Sequence, residues 1–336
     1  MVATMPIDRV QTVTESEARF SALLDAANLR RVTIICRAGR PVATISPYTP
    51  MAEERKPGAL TGEFWMADDF DETPSDVIDD FEDAIAIVEG IGKTDAITTV
   101  GTFVISDEMH SLVQAELDRL IAQNRNPAFL LLDLETGAGL AYNIDTIYYS
   151  ASGIKAHNMC ALCYFVPESF TNSKSGMQAT LQYSSNADYE RVFNSYNDNI
   201  PNQWRERAHL GKQQWGRMYT NYSTRDNAKL WLCDWDFLSG DSEAARALCS
   251  WMEASRASAF AAVVGEREGY INCSKAGWES DTVHGCNEGG FIQTPGGTYL
   301  LVIMTSQGGT PDRVLTGLVS VLDDAYQAYA PQKARD

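Results

Sequence analysis

The spacing of apolar positions divides the chain into two regions with different patterns. In the first, Ala18, Phe20, Leu23, Leu24 and Ala27 recur at helical spacing. Thr14 or Ser16 can cap that helix, and Glu17 supplies the capping-box carboxylate for a cap at Thr14. The β-branched run "RVTIIC", the turn "RAGR" and the run "PVATIS" then predict a β-hairpin. Residues 88–105 carry Gly and Thr without strong periodicity and read as a linker over 93–105, with a short strand near "TFVI". From residue 106 the pattern changes. "DEMHSLVQAELDRLIAQN" predicts an amphipathic helix with Met109, Leu112, Val113, Leu117, Leu120 and Ile121 on one side. "PAFLLLDLETGAGLAYNID" predicts a strand, a turn at "ETGAG" and a second strand. "TIYYSASGIKAHNMCALCYF" predicts an apolar helix opened by a serine, and "REGYINCSKAGWE", "GGFIQTP" and "TYLLVIMT" predict three successive strands. The class is α+β: a small head of one helix and a β-hairpin, followed by a larger body.

Composition sharpens this division. The chain has 336 residues, 44% of them apolar, which is enough for a core. Its net charge of −18 argues against broad binding of nucleic acid or anionic membrane by the whole molecule. The charge is uneven: residues 1–56 hold eight basic and six acidic side chains, 57–92 hold eleven acidic and no basic ones, and 93–336 hold 19 basic and 28 acidic. No stretch reaches the roughly 18 apolar residues of a membrane span. The start, "MVATMPIDRVQTVTES", lacks a basic segment followed by an apolar one, so a cytoplasmic location is expected.

Several features suggest chemistry that their spacing does not support. "GIGKT" lacks phosphate-loop spacing, because Ile87 stands where the first glycine is required. Cys160 and Cys163 have redox or zinc spacing but no second Cys/His pair nearby, and read as small core residues. Cys273 and Cys286 can either pair across adjacent strands or remain free. His157, His209 and His284 lack zinc-ligand spacing and read as surface or packing residues, so no metal is expected. Glu288 and Asp281 read as solvated residues of the turn after the first of the last three strands, close enough to tune a site there.

Two resemblances organise the rest. "SEARFSALLDAA", "RVTIICRAGRPVATI" and "GALTGEFWMADDFDETPSDVIDDFED" resemble a Phd/YefM-type antitoxin over roughly residues 8–85. This implies a head over 1–57 that dimerises and binds operator DNA, and an acidic tail over 58–92 that wraps a toxin. Arg9, Arg37 and Arg40, with Arg19, Arg30 and Arg31, are the candidate phosphate contacts. Phe64, Trp65, Met66, Phe70, Val77, Ile78 and Phe81 lie among acids, in a segment too charged to bury a core alone. It reads either as partner-recognising or as a linker packed on its neighbour.

The body carries a serine, Ser152, three residues before Lys155, on one face of a helix. An ammonium buried there loses basicity and becomes a candidate base for the hydroxyl. Ser184, Ser185 and Asn186 follow at the start of another helix, and Lys275, Ala276 and Gly277 on a strand. Ser-x-x-Lys, Ser-x-Asn and Lys-[Thr/Ser/Ala]-Gly, in this order, are the motif set of penicillin-recognising serine enzymes, so residues 106–330 resemble a class A β-lactamase-type serine hydrolase. The resemblance implies an antiparallel sheet flanked by terminal helices, and a helical lobe bearing Ser152.

It also implies roles. Ser152 would be the nucleophile and Lys155 its activating partner. Ser184 would pass the proton to the leaving atom, and Asn186 would hold the substrate amide and Lys155. Lys275 would attract a substrate carboxylate, while Gly277 admits the strand backbone. The N–H groups of Ser152 and Trp278 would form an oxyanion hole, each donor worth about 3 kcal/mol in acyl-transfer enzymes. No metal or organic cofactor is implied.

The pattern departs from the family in three places. The Glu-x-x-x-Asn loop that positions a deacylating water should lie in "NIPNQWRERAHLGKQQWGRM", where Glu206 is the only acid and Leu210 stands in place of Asn. Thr224 and Asp226 mark the start of the next helix. The stretch between the first two motifs is short, implying a trimmed helical lobe, and Ser185 replaces the common middle Asp. The expected function is acyl-enzyme hydrolysis of a β-lactam, amide or ester, with a small molecule or peptide as substrate. The alternative is a DNA-binding autoregulator whose body senses a ligand without turnover. A homodimer through the head follows from the resemblance alone.

Overall fold

A computed structural model describes residues 7–12, 20–28, 32–37, 40–46, 84–197, 199–211, 218–280 and 284–333. The chain forms two compact units, 1–72 and 73–336. In the first, strands β1 (Ile7–Thr12), β2 (Val32–Arg37) and β3 (Arg40–Ile45) form a sheet in the order β1-β2-β3, with helix α1 (Phe20–Asn28) between β1 and β2. The hairpin β2–β3 is antiparallel, as its turn chemistry requires. Strand β1 was not foreseen; it pairs parallel with β2, across the connection through α1. Leu23 and Ala27 of α1 are buried, whereas Phe20 and Leu24 are exposed. Arg37 is exposed at the end of β2. Arg9 and Arg40 lie on β1 and β3, but their side chains are outside the described residues, as are Thr14, Ser16, Glu17, Arg19, Arg30, Arg31 and the tail residues from Phe64 to Phe81.

The second unit is built on a six-stranded sheet: β4 (Thr98–Val100), β5 (Ala128–Asp133), β6 (Gly139–Tyr142), β9 (Ile271–Glu279), β10 (Gly285–Thr294) and β11 (Gly297–Thr305), in the order β4-β6-β5-β11-β10-β9. Every neighbouring pair is antiparallel. Strand β5 is buried along its whole length because both faces of the sheet are covered. Side chains alternate between two cores: Leu130, Leu132, Leu300, Val302, Met304 and Phe291 enter one, and Phe129, Leu131, Tyr299, Leu301, Ile303 and Ile292 enter the other. The second core is roofed by α2 (Asp107–Ala122) and the last helix (Thr316–Lys333), which pack on each other. Ser106 caps α2 by accepting from Met109 N. Val113, Leu117 and Leu120 carry its buried stripe, while Leu112 and Ile121, assigned to the same side by spacing, remain largely exposed. The first core is closed by the helical lobe: α3 (Ile154–Phe165), α4 (Glu168–Gln182), α5 (Asn186–Asn194), α6 (Ile200–Arg207), α7 (Thr224–Leu238) and α8 (Glu243–Glu253). A two-stranded ribbon of β7 (Ile147–Tyr149) and β8 (Asn221–Ser223) borders it.

Part of the stretch read as tail and linker is integrated into this unit. Residues 84–90 are helical, and Ile85, Val88 and Ile91 lie in the first core. The strand of the 93–105 stretch is Thr98–Val100, at the sheet edge, rather than "TFVI", whose Phe103 enters the second core. Arg225 pins this region. Its guanidinium donates to the carbonyls of Val88 and Ile91 and pairs with Asp145, with Nε–Oδ1 at 2.6 Å. Lys229 Nζ reaches Glu89 Oε1 at 2.7 Å and His209 O at 2.9 Å, drawing the Glu89 carboxyl below its ordinary range. Among the described residues no helix is long and apolar enough to cross a membrane.

The carbonyls left open at the end of the 84–90 turn depend on one guanidinium. Arg225→Ala should therefore destabilise the second unit by about 2 kcal/mol, the scale of hydrogen bonds to a charged group. A lowered urea midpoint in equilibrium unfolding checks this, and an unchanged midpoint would contradict it.

Candidate active site

The site begins where β7 ends. Ser150 N donates to Thr220 O at 2.8 Å, and Thr220 N returns a bond to Ser150 Oγ at 3.2 Å. Ala151 then adopts φ of 44°, a region side chains rarely occupy outside functional turns. A 3-10 turn over Ala151–Gly153 leads directly into α3. Ser152 is half-buried at this junction, where the first amides of the helix have no intrahelical partners.

Lys155 lies one turn further, fully buried. Its Nζ donates to Ser184 O at 2.8 Å and to Asn186 Oδ1 at 2.6 Å, and sits 5.4 Å from the centre of the Tyr189 ring. Burial, and then the charge of Lys275, push the ammonium down to about 7. Near neutral pH this amine can therefore accept a proton. Ser184 precedes α5 with φ of 58°, which presents its carbonyl to Lys155. Ser185 caps α5, accepting from Asp188 N at 3.2 Å and donating to Asp188 Oδ2 at 2.6 Å, so Asn186 opens the helix. Ser185, which stands where Asp is common in the resembling family, thus serves the helix end.

Lys275 approaches from β9 and is also fully buried. Its Nζ donates to Ser184 Oγ at 3.2 Å and to Ala276 O at 2.6 Å. Burial pushes it down to about 8, against the opposing pull of Glu288. Glu288 belongs to β10 and not to a turn. It is fully buried on the opposite face of the sheet, accepting from Ser258 Oγ at 2.5 Å, Ser274 Oγ at 2.8 Å and Ala259 N at 2.6 Å. Burial raises its carboxyl, and those hydrogen bonds oppose the rise. Asp281 is outside the described residues.

Gly277 locks β9 against the serine turn. A Cβ there would stand 2.5 Å from Gly153 N, 2.7 Å from Asn287 Oδ1 and 3.0 Å from Ser150 O. Trp278 follows, half-exposed, on the same strand. The structure thus brings Lys155, Ser184, Asn186 and Lys275 into one chain of hydrogen bonds, and sets the Gly277 backbone against the turn that carries Ser152.

Three contributors escaped sequence reading. Asn287 of β10 packs between Gly153 and Gly277 and donates from Nδ2 to Tyr149 O at 3.1 Å. Tyr189 underlies Lys155; its place three residues after Asn186 on α5 was the available signal. Tyr219 donates to Asn186 Oδ1 at 3.2 Å, and no spacing announced it. Glu206 is exposed on α6 and Leu210 is buried. A Glu-x-x-x-Asn run does occur at Glu190–Asn194, but on α5, with both side chains exposed. Ser223 and Asp226 form the capping box that starts α7.

The remaining candidates are structural. His157 is buried, with Nδ1 2.6 Å from Asp234 Oδ2 and Nε2 3.0 Å from Asn227 Oδ1; Trp204 Nε1 donates to Asp234 Oδ1 at 2.9 Å. Cys160 and Cys163 are buried free thiols, and burial pushes Cys163 up to about 12. Cys273 and Cys286 are also free; side-chain parity sends one into each core, on opposite faces of the sheet.

No family model matches the chain, and no curated protein matches it. Solved structures do. A β-lactamase from Sphaerobacter thermophilus aligns over 66% of this chain and 98% of its own at a TM-score of 0.54 and 17% identity. PBP-A aligns over 66% and 96% at 0.53 and 16%. The β-lactamase of Streptomyces albus G aligns over 64% and 98% at 0.50 and 14%. A PBP-A variant with similar values is an acyl-enzyme complex with penicillin G. The body therefore has the fold of class A β-lactamases and PBP-A.

The clash at Gly277 involves backbone on two sides, which cannot swing away. Gly277→Ala should cost about 1–3 kcal/mol, the range for overpacked interiors. A thermal melt that matches the parent protein would show that the strand and the serine turn are not locked as described.

Proposed function

We propose that the body is a serine hydrolase that works through an acyl-enzyme on Ser152. The observation that carries this reading is the hydrogen-bonded chain from Asn186 through Lys155 and Ser184 to Lys275, with both amines made less basic by burial. In acylation, neutral Lys155 takes the hydroxyl proton of Ser152 as Oγ bonds to the substrate carbonyl carbon. The oxyanion is met by the N–H groups of Ser152 and Trp278. On collapse, the bond to the leaving nitrogen or oxygen breaks, and that atom takes a proton from the Ser184 hydroxyl, which Lys155 replenishes. Asn186 orients the substrate amide, and Lys275 holds an anionic group on the substrate. Water must then cleave the ester and restore the Ser152 proton.

Release is the slow step in this reading. Glu206, the acid in the stretch where a water-activating base is expected, is exposed on α6. The adduct should therefore accumulate; an acyl-enzyme complex with penicillin G is the form in which a PBP-A mutant of similar fold was solved.

A second reading concerns the first unit. Exposed Arg37, with Phe20 and Leu24 largely exposed at 56% and 46%, favours an operator-binding, self-associating head of the antitoxin type. Loss of a DNA gel shift on Arg37→Ala tests it, and an intact protein that retards no DNA from its own promoter would end it.

Mass spectrometry with a fluorescent penicillin decides the main reading. One adduct per chain that persists, and is absent in Ser152→Ala, supports it. No adduct would end the hydrolase assignment, and rapid multiple turnover of a chromogenic cephalosporin would overturn slow release. The pH dependence follows from the two lysines. Lys155 must be neutral to act as base and is half-deprotonated near pH 7, so acylation should rise through about 7. Lys275 must be charged to hold an anion and loses its proton near 8, so for an anionic substrate the rate should fall again above about 8. A neutral ester should lack the falling limb, and single-turnover rates across pH 5.5–9.5 would show it.

A further inference from the structure

Tyr219 reaches the polar cluster from outside the three motifs with its phenol oxygen, where Tyr189 offers its ring face. Its backbone is fixed there, because Thr220, the next residue, exchanges two hydrogen bonds with Ser150, two residues before Ser152. Its ring lies 6.2 Å from that of Tyr149 and 5.6 Å from that of Tyr189, centre to centre. Tyr189 in turn is held by Asn158 Nδ2, at 2.5 Å, and donates to Met218 O at 2.7 Å, which anchors the residue before Tyr219. The phenol therefore stands in a fixed ring cluster with its oxygen 3.2 Å from Asn186 Oδ1.

That oxygen is already engaged. Lys155 Nζ lies 2.6 Å from it, and an ammonium can only donate, so the atom is the amide oxygen and Tyr219 must donate to it as well. We propose that Tyr219 is a positioning residue for the Ser152 site: its O–H shares Asn186 Oδ1 with Lys155, and so weakens that oxygen's hold on the lysine in its charged form. Two donors on one carbonyl oxygen draw on the same electron density, and each bond is weaker than it would be alone. The sharing favours the neutral amine, the form that takes a proton from Ser152. The inference deepens the acyl-enzyme reading, whose chemistry it rests on.

The phenol stays protonated throughout the working range. Burial, then Tyr149, Glu190 and Glu279, push it up to about 12, so it is a donor and not a general base. The charged group facing Lys155 from another element is Lys275 on β9; Tyr189 on α5 contributes its ring face, and Ser184 its carbonyl. Glu190 on α5 and Glu279 on β9 face Tyr219. None of these changes when the phenol oxygen alone is removed.

Tyr219→Phe keeps the ring and deletes the donor. Asn186 Oδ1 then bonds Lys155 alone, the ammonium is better held, and its midpoint must rise. The test uses the full chain with lysine labelled at Cε, the Lys155 signal being identified by its loss in Lys155→Ala. The expected result is a midpoint in Tyr219→Phe about half a pH unit above the parent, a shift that lowers the neutral fraction near pH 7 about twofold. Tyr149→Phe, which removes a phenol from the same ring cluster, should leave the midpoint unmoved. Equal midpoints for Tyr219→Phe and the parent would overturn the proposal, as would an equal rise in Tyr149→Phe. The titration needs no substrate. A shifted midpoint in a protein that no penicillin labels would sink the hydrolase reading and leave this inference standing; normal labelling with an unshifted midpoint would do the reverse.

Discussion

Two lysine amines buried beside one serine are the constraint on which the second unit depends. Removing an ammonium from water costs several kcal/mol even after relaxation, and two of them repel. Among the described residues, neither Lys155 nor Lys275 pairs with a carboxylate on its own side of the sheet. Their partners are the Ser184 carbonyl and hydroxyl, the Asn186 amide oxygen and the Ala276 carbonyl. Dipoles of this kind offset part of the cost, and partial deprotonation removes the rest, which is why both amines are poised near neutrality. The same imbalance that would destabilise an ordinary interior makes these groups useful as acids and bases. The left-handed backbone at Ser184, with φ of 58°, offers its carbonyl to one lysine while its hydroxyl meets the other.

The sheet makes this arrangement possible by separating charges across its thickness. Lys275 and Glu288 sit on strands paired in register, Ala276 opposite Glu288, yet parity sends their side chains to opposite faces. Glu288 is stabilised by two hydroxyls and a helix-opening amide, so it remains a distant electrostatic support rather than a direct partner. Direct pairing would hold Lys275 tightly as a cation and occupy the donors it needs for a substrate. The glycines serve the same end. Gly289 leaves room for the Trp231 indole, Gly290 takes φ of 149° against Ser274, and Gly277 lets β9 touch the serine turn. The interior is tight where backbones meet.

What could be read from the sequence was whatever one element's geometry dictates. Ser152 and Lys155 are one helical turn apart, Ser184 to Asn186 sit at a helix start, and Lys275 to Gly277 lie on a strand; each is a local rule. Strands β9, β10 and β11 and helix α2 followed from periodicity, whereas the last helix came only with the resemblance. The readings that failed were those in which a local cue had a tertiary cause. "GCNEGG" looks like a turn because it is rich in glycine, but the glycines are there for close approach within β10, so Glu288 was placed in solvent. Cys273 and Cys286, open on sequence to cross-strand pairing or to remaining free, are free, and register gives them opposite parity. Thr98–Val100 has too little periodicity to announce an edge strand. Tyr219 and Asn287 carry no spacing at all relative to Ser152; they arrive through strand pairing and through the bond between residues 150 and 220.

The division between local and long-range information has a functional counterpart. The groups proposed to form the acyl-enzyme sit on α3, α5 and β9, elements held by the two cores. Among the described residues of the connection between α5 and α7, Tyr219 reaches the cluster with its phenol. A phenol pushed up to about 12 cannot draw a proton from water, but it can set how readily a neighbouring amine does.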